Sequence, residues 1–456
     1  MVRISILATP KGGSMAQAVK NKGWMVTFAG IGINLALGIL YTWSIFKSSI
    51  AKSIEANDGI FTWSAAQLND PYSVCCLCFA FSMIVAGKCQ DKLGPRLTAF
   101  IGGILVAMGL LLCSQSNSYA AWVTGFGVLA GSGFGFGYSA ATPPALKWFP
   151  PAKTGLIAGL VVSGFGLASV YIAPLSEYLL NTIGINQSMM VFGFAFLIVV
   201  CGLSLLLVNP PKGYVPQAVP NHKTGPAKKV VPGVDVSPLQ ILKSRNFYVL
   251  WLIYFIGSGA GLMVISSIAG MAKKSMPSAA FLAVAIMAVG NAGGRIVAGI
   301  LSDKIGRNYT LLMMLLLQAV LMLAGIQLVG TENTSAVLIL LLATFIGFSY
   351  GSNLSLFPSF AKDLWGLKSF GLNYGILFSA WGIGGFVMSR VSQMLLTNSG
   401  SFRSSFLFAA MTLIVAAGLT FAIKSAKPAA VPAGVIFEPH LGFTMADGGE
   451  KIEKKK

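Results

Sequence analysis

Arg295 stands in the run NAGGRIVAGI, an otherwise uncharged and largely apolar stretch. A guanidinium stays ionised at any working pH and presents a planar fork of N–H donors, so its natural chemistry is recognition of an anion such as a carboxylate. Holding that charge near the middle of a membrane-crossing helix costs about 2.5–3.5 kcal/mol even on the gentlest insertion scale. The residue lies about six positions from the end of its apolar run, roughly 9 Å inside at 1.5 Å per residue. Snorkelling does not easily reach the surface from that depth. The charge therefore needs either an acidic neighbour or a ligand. One helical turn earlier stands the neutral Asn291, and no acid is near in sequence.

Polar aromatics at other apolar positions are the next candidates. Tyr41 and Trp43, Tyr138, Tyr171, Tyr350 with Asn353, and Trp381 all carry groups able to donate to a carboxylate or hydroxyl. Tyr and Trp also anchor helices at membrane surfaces, so each has a structural reading beside the functional one. Arg390, Asp70 and Glu177 fall near the outer ends of their apolar runs, where snorkelling is cheap and no function is required.

The elements that would position these residues follow from composition. The chain has 456 residues, 55% hydrophobic and only 10% charged, with a mean hydropathy of +0.76. A soluble domain averages about 25% charged residues, so this chain could not cover its own surface in water. Twelve apolar runs approach or exceed the roughly 18 residues a helix needs to cross a bilayer: 24–46, 68–87, 97–115, 120–142, 155–180, 187–208, 247–272, 279–301, 310–330, 335–357, 370–396 and 404–424. The expected fold is an all-α integral membrane protein of twelve transmembrane helices. The first run has no small-residue cleavage site before it and reads as a retained helix. Asn209 to Asn246 holds seven prolines and six basic residues against the single acid Asp235, and reads as a linker. It divides the chain into a tail (1–23), a six-helix half (24–208), the linker (209–246), a second six-helix half (247–424) and a second tail (425–456).

Charge placement orients the chain. Twenty-five Lys and Arg fall in the two tails, the linker and the 2–3, 4–5, 8–9 and 10–11 connections, against five on the opposite side. The basic side is expected to be cytoplasmic, with both termini there, in a plasma membrane protein. The net charge of +19 then faces anionic lipid, and no soluble basic reading element points to nucleic acid. The six cysteines sit in or beside apolar runs while His222 and His440 lie in polar segments, so no metal site and no cofactor are expected. Histidine-free spans offer no nucleophile or metal constellation, which argues against an enzyme. The glycine-rich Gly131 to Gly137 lies inside an apolar run with no adjacent Lys-Ser/Thr, so it reads as a helix contact surface and not a phosphate loop. Pro143 and Pro144 are expected to end or kink the fourth helix.

A repeat supports two equivalent halves. GKCQDKLGPR (Gly87 to Arg96) follows the second run and GILSDKIGR (Gly299 to Arg307) the eighth, with Asp91 and Asp303 separated by 212 residues. Such an aspartate can sit at a helix end and pair with a neighbouring base, Arg96 or Arg307, holding helices together in one conformational state.

These two loops resemble the signature loop of the major facilitator superfamily. The stretches Gly133 to Gly166, Asn209 to Tyr214 (NPPKGY), Leu356 to Gly366 (LFPSFAKDLWG) and Asn373 to Gly385 (NYGILFSAWGIGG) together resemble the oxalate/formate antiporter family, relatives of the monocarboxylate transporters. The resemblance implies a secondary transporter of a small carboxylate, with Arg295 as the substrate-binding arginine and Tyr41, Tyr138 and Tyr350 lining the site. Many eukaryotic monocarboxylate transporters carry an Asp where this chain has Asn291, so the usual proton-coupling candidate is missing. The oxalate-transporting member carries a Lys where this chain has Trp381. One cation beside an indole suits a monoanion with a small apolar tail, such as lactate, pyruvate or formate. The expected activity is proton-coupled monocarboxylate transport by alternating access in a monomer. The alternatives are an oxalate/formate-type anion exchanger and, in another class, a membrane carboxylate sensor, for which the short tails offer no signalling domain.

Overall fold

The computed structural model describes residues 21–64, 67–211, 213, 214, 216, 235–275, 280–328, 335–399 and 402–424. Most of the expected linker and nearly all of both tails lie outside the described residues. Among these residues every regular element is helical, and ten helical runs are long and apolar enough to cross a membrane. One of the ten, Pro151–Ser204, spans 54 residues and reverses at Gly184, whose backbone (φ 75, ψ 175) is not helical. The stretches Tyr119–Trp122, Val123–Ala130 and Gly131–Trp148 join into one further crossing, the middle stretch wound as a π-helix. Counting these gives the twelve expected crossings.

We number them α1 (Gly23–Ala56), α2 (Asp70–Leu93), α3 (Pro95–Gln115), α4 (the three stretches above), α5 (Thr154–Leu167, continuing to 183) and α6 (185–204). The second half holds α7 (Arg245–Ser275), α8 (Ala280–Ile305), α9 (Arg307–Leu328), α10 (Ala336–Trp365), α11 (Phe370–Ser399) and α12 (Arg403–Leu419). Alternate connections bring the Lys- and Arg-rich segments to one face of the bundle, called the basic face below.

Large apolar side chains on α3, α6, α9 and α12 remain exposed, among them Met108, Ile198, Val320 and Val415. In water this would be a liability, but in lipid it is what the solvent requires, and these four helices form the bundle's lipid-facing flanks. The two halves meet where α2 packs on α11 and α5 packs on α8. Those contacts are backbone-close. A Cβ on Gly159 would lie 2.4 Å from the carbonyl oxygen of Arg295, so the α5–α8 approach that frames Arg295 requires glycine there.

Two expectations about helix ends are corrected. The first helix does not stop at 46 but runs through a 3₁₀ turn (Gly38–Thr42) and continues as α-helix from Trp43 to Ala56. The fourth does not end at Pro143 and Pro144, which lie inside a helix that continues to Trp148. Proline removes one N–H and crowds the preceding turn, yet a helix packed on all sides by neighbours tolerates it. The glycines of Gly131 to Gly137 meet the backbones of α2 and α3, as a helix contact surface should.

Candidate functional site

Arg295 lies on α8 between α5 and α10, and its side chain is 0% exposed. Its Nε donates to Asn291 Oδ1 at 3.0 Å, one Nη donates to the carbonyl of Val162 on α5, and the other reaches Tyr41 Oη on α1 at 3.4 Å. All three partners are neutral. A guanidinium has five N–H donors, so two remain uncommitted. The ion pairs among the described residues are Arg307 with Asp303, Arg307 with Asp363, and Arg390 with Asp70. Arg295 takes part in none of them. An ionised group held away from water without an opposite charge is expensive, and the cost is offset only by a counter-ion or by a role that requires the charge.

A hydrogen-bond chain extends from the guanidinium across the interface between halves. Tyr41 Oη lies 2.7 Å from Tyr350 Oη on α10, and the Trp381 indole on α11 donates to the same Tyr350 oxygen at 2.8 Å. Elements from both halves thus converge on one charge. The 3₁₀ turn of α1 contributes, because it places Tyr41 at the point where the helix narrows. Tyr138 on α4 is also buried, packed against Phe79, Phe165 and Phe378 with ring centroids 5.5–5.6 Å apart, and its hydroxyl has no hydrogen-bond partner among the described residues.

Of the residues singled out from sequence, the structure brings Arg295, Asn291, Tyr41, Tyr350 and Trp381 into one connected group. Tyr138 reaches it through rings alone. Asn353 does not join: one turn along from Tyr350, it lies against Gly257 of α7, and its Nδ2 bonds the Ser349 carbonyl at 3.4 Å. Tyr171 is 41% exposed and donates to the Leu35 carbonyl, tying α5 to α1 instead of facing the centre. Trp43 is buried against Trp122 and Phe126.

At the basic face the repeated loops make matched contacts. Asp91, ending α2, accepts from the amides of Gly371 and Leu372 at the start of α11 at 3.1 and 3.0 Å. Asp303, ending α8, accepts from Gly155 and Leu156 at the start of α5, both at 3.0 Å. In each case the carboxylate takes the second and third amides of a helix in the opposite half, where free N–H groups and the helix dipole favour a negative charge. The loop glycines Gly94 and Gly306 turn at φ 89 and 97, a left-handed backbone that explains the shared glycine of the motif. Arg307 pairs with Asp303 at 2.6 Å and Asp363 at 2.9 Å, as expected of a neighbouring base. Arg96 does not pair with Asp91; it is exposed to solvent, because the chain leaves Gly94 with that side chain directed off the bundle. Lys362 on α10 adds a bond to the Thr154 hydroxyl at the start of α5. These contacts join the two halves at the basic face.

A chain of twelve membrane crossings in two halves, fastened by a repeated Asp-Lys-apolar-Gly loop, matches the Major Facilitator Superfamily model over residues 23–389 and again over 263–439. The protein belongs to this superfamily. It is a multi-pass membrane transporter and not an enzyme. Among superfamily relatives, the oxalate:formate antiporter of Oxalobacter formigenes is 27% identical over 417 residues, covering 91% of this chain and 94% of that protein. Monocarboxylate transporter 11 of Mus musculus is 26% identical over 417 residues, covering 89% and 88%. The crystal structure of FucP in its outward conformation superposes with a TM-score of 0.60 at 17% identity, over 88% of this chain and 100% of that one, and speaks to the fold alone.

Sequence reasoning missed the aromatic wall around this superfamily member's central charge. Phe79 packs on Tyr138, Phe165, Phe378 and Trp381, and Phe165 meets Tyr41 edge-on at 5.1 Å. Phenylalanine in an apolar helix carries no signal that separates a site wall from ordinary packing. It also missed the Val162 carbonyl, which no side-chain pattern announces. Arg390, read as snorkelling, is 62% exposed but lies 3.7 Å from Asp70 across the halves on the face opposite the clamps.

Proposed function

We propose that this transporter carries small monocarboxylates of the lactate, pyruvate and formate type by alternating access, with Arg295 neutralising the anion. The observation that carries the reading is a fully buried guanidinium whose described partners are all neutral acceptors, leaving two N–H donors in the fork that a carboxylate accepts. Tyr41 and Tyr350 supply hydroxyls to the same anion, while Trp381, Phe79 and Phe165 enclose its apolar tail. Tyr138 and Asn353 lie one layer out. Asn291 orients the guanidinium as a neutral acceptor and leaves the charge for the cargo. The Asp91 and Asp303 contacts hold one of the two access states, with the basic face cytoplasmic in a plasma membrane and the monomer as the working unit. The kinship with proteins named for oxalate, formate and monocarboxylate transport supports the substrate class.

Proteoliposomes given labelled lactate, pyruvate, formate or oxalate test this directly. A monocarboxylate is expected to accumulate against its concentration when a pH gradient is imposed, which is proton symport. Accumulation only with an acid loaded on the opposite side would make the protein an exchanger. Uptake of none of the four acids would overturn the substrate class.

The indole at Trp381 sets the charge count of the site. Trp381→Lys adds a second cation in place of an indole that is only 1% exposed. The variant is expected to compete labelled pyruvate off with oxalate at least tenfold more readily than the parent does. An unchanged oxalate preference in a folded variant would remove Trp381 from the specificity argument.

A further inference from the structure

On the face opposite the clamps a cavity of about 30 Å³ opens beside α1, lined by Tyr41, Ser44, Lys47, Asn69, Tyr72 and Ile265 among others. Space of that size takes about two waters, which an entering carboxylate group would displace. Lys47 is half-buried in this wall. It forms no ion pair or hydrogen bond with any described residue, although carboxylates occur nearby in the chain at Glu55 and Asp58. Asp58 is instead satisfied locally by Ser53 and the Ile60 amide. The lysine is helical only because α1 continues past the point where its apolar run stops. That continuation puts Tyr41, Ser44 and Lys47 three residues apart, on one stripe of the helix.

Tyr41 belongs to two places at once. Its ring walls the cavity, while its hydroxyl is bonded to Tyr350 and Arg295. A single side chain therefore separates an open cation from a buried one, and Lys47 lies about 9 Å further along the helix than Tyr41 at 1.5 Å per residue.

We propose that Lys47, with Ser44 and Tyr72, forms an outer carboxylate site from which the anion passes to Arg295 when Tyr41 turns aside. The inference rests on the transport reading above and extends it with a second, shallower station used only from this face. A lysine ammonium suits such a station, because it is a point charge with three rotatable donors that attracts an anion without the fixed fork that would hold it. A basic pocket with low-dielectric walls also raises the local anion concentration at its mouth.

Uptake measured from each face separates the outer site from a general effect. With labelled pyruvate supplied at the Lys47 face (intact cells) and at the basic face (inside-out vesicles), Lys47→Gln is expected to raise KM at least fivefold from the first face and less than twofold from the second, with the maximal rate changing much less than KM. Lys47→Arg, which keeps the charge, is expected to restore KM to within twofold. No change from the Lys47 face, or an equal rise from both faces, would overturn the proposal.

A binding measurement makes the result independent of transport. Purified Arg295→Ala protein, lacking the deep charge, is expected to retain weak binding of labelled pyruvate in equilibrium dialysis, and the Arg295→Ala/Lys47→Gln double variant to lose it. Absence of residual binding in the single variant, or its persistence in the double, counts against the outer site. If the parent transported no acid while this difference held, the transport reading would fall and the outer site would stand.

Discussion

Arg295→Leu is expected to abolish monocarboxylate uptake, at least a hundredfold, while leaving the thermal midpoint of the cargo-free protein unchanged or higher. The two halves of this expectation have one cause. The guanidinium is 0% exposed and bonded only to Asn291, the Val162 carbonyl and Tyr41, so the empty protein bears the desolvation of a charge that nothing neutralises. A leucine removes that cost, much as apolar replacements of buried charges are often neutral or stabilising. Removing one partner of a buried charged pair costs about 2–5 kcal/mol, and a hundredfold loss corresponds to about 2.7 kcal/mol. Arg295→Lys keeps the charge but not the fork, and is expected to lose at least tenfold. Proteoliposome uptake and a melting curve on the same preparation check both statements. Normal uptake by Arg295→Leu would falsify the site.

Asp303→Asn is expected to slow net transport by at least tenfold and to open the basic face, more than Asp91→Asn does. Both aspartates accept two amides at the start of a helix in the opposite half. Hydrogen bonds to a charged group contribute about 1.5–3 kcal/mol each, and an asparagine keeps at most one good acceptor. Losing about 1.4 kcal/mol of preference for the shut state is already a tenfold change in population. The difference between the two sites comes from Arg307, which binds Asp303, Ser302 and Asp363 together and is left without its nearest carboxylate when Asp303 is neutralised. Asp91 has no ion pair of that kind among the described residues: Arg96 is exposed, and Lys147 acts on it only through its charge at longer range. Hydrogen–deuterium exchange at the amides of Gly155 and Leu156, and of Gly371 and Leu372, reads the opening without placing a side chain at either close approach. Equal behaviour of the two variants would show that Arg307 does not reinforce the second clamp.

What could be read before folding was set by cost. Arg295 was conspicuous because a charge in an apolar run needs a reason, and the paired loops because a repeated Asp-Lys-apolar-Gly pattern needs a shared geometry, here the left-handed glycines Gly94 and Gly306. Tyr41, Tyr350 and Trp381 were reachable through family resemblance, and the structure joins all three to the arginine. Helix phase accounts for the misses. Asn353 is one turn from Tyr350 but faces α7, a difference no linear pattern encodes. Lys47 falls just past the first apolar run (24–46) yet lies within the helix, because apolar runs mark where a helix enters lipid and not where it stops being helical. Phe79, Phe165 and Phe378 were indistinguishable from packing residues, since burying a ring costs nothing wherever it faces.

A standing positive charge at mid-depth makes membrane voltage a participant in the cycle. One elementary charge carried across the full field is worth about 2.3 kcal/mol per 100 mV. On the proposed reading, an anion carried alone would cancel the guanidinium and leave the voltage to act on the bare return step. An anion carried with a proton would leave the loaded centre as positive as the empty one, so that the voltage bears equally on both steps. The voltage dependence of uptake separates the two couplings.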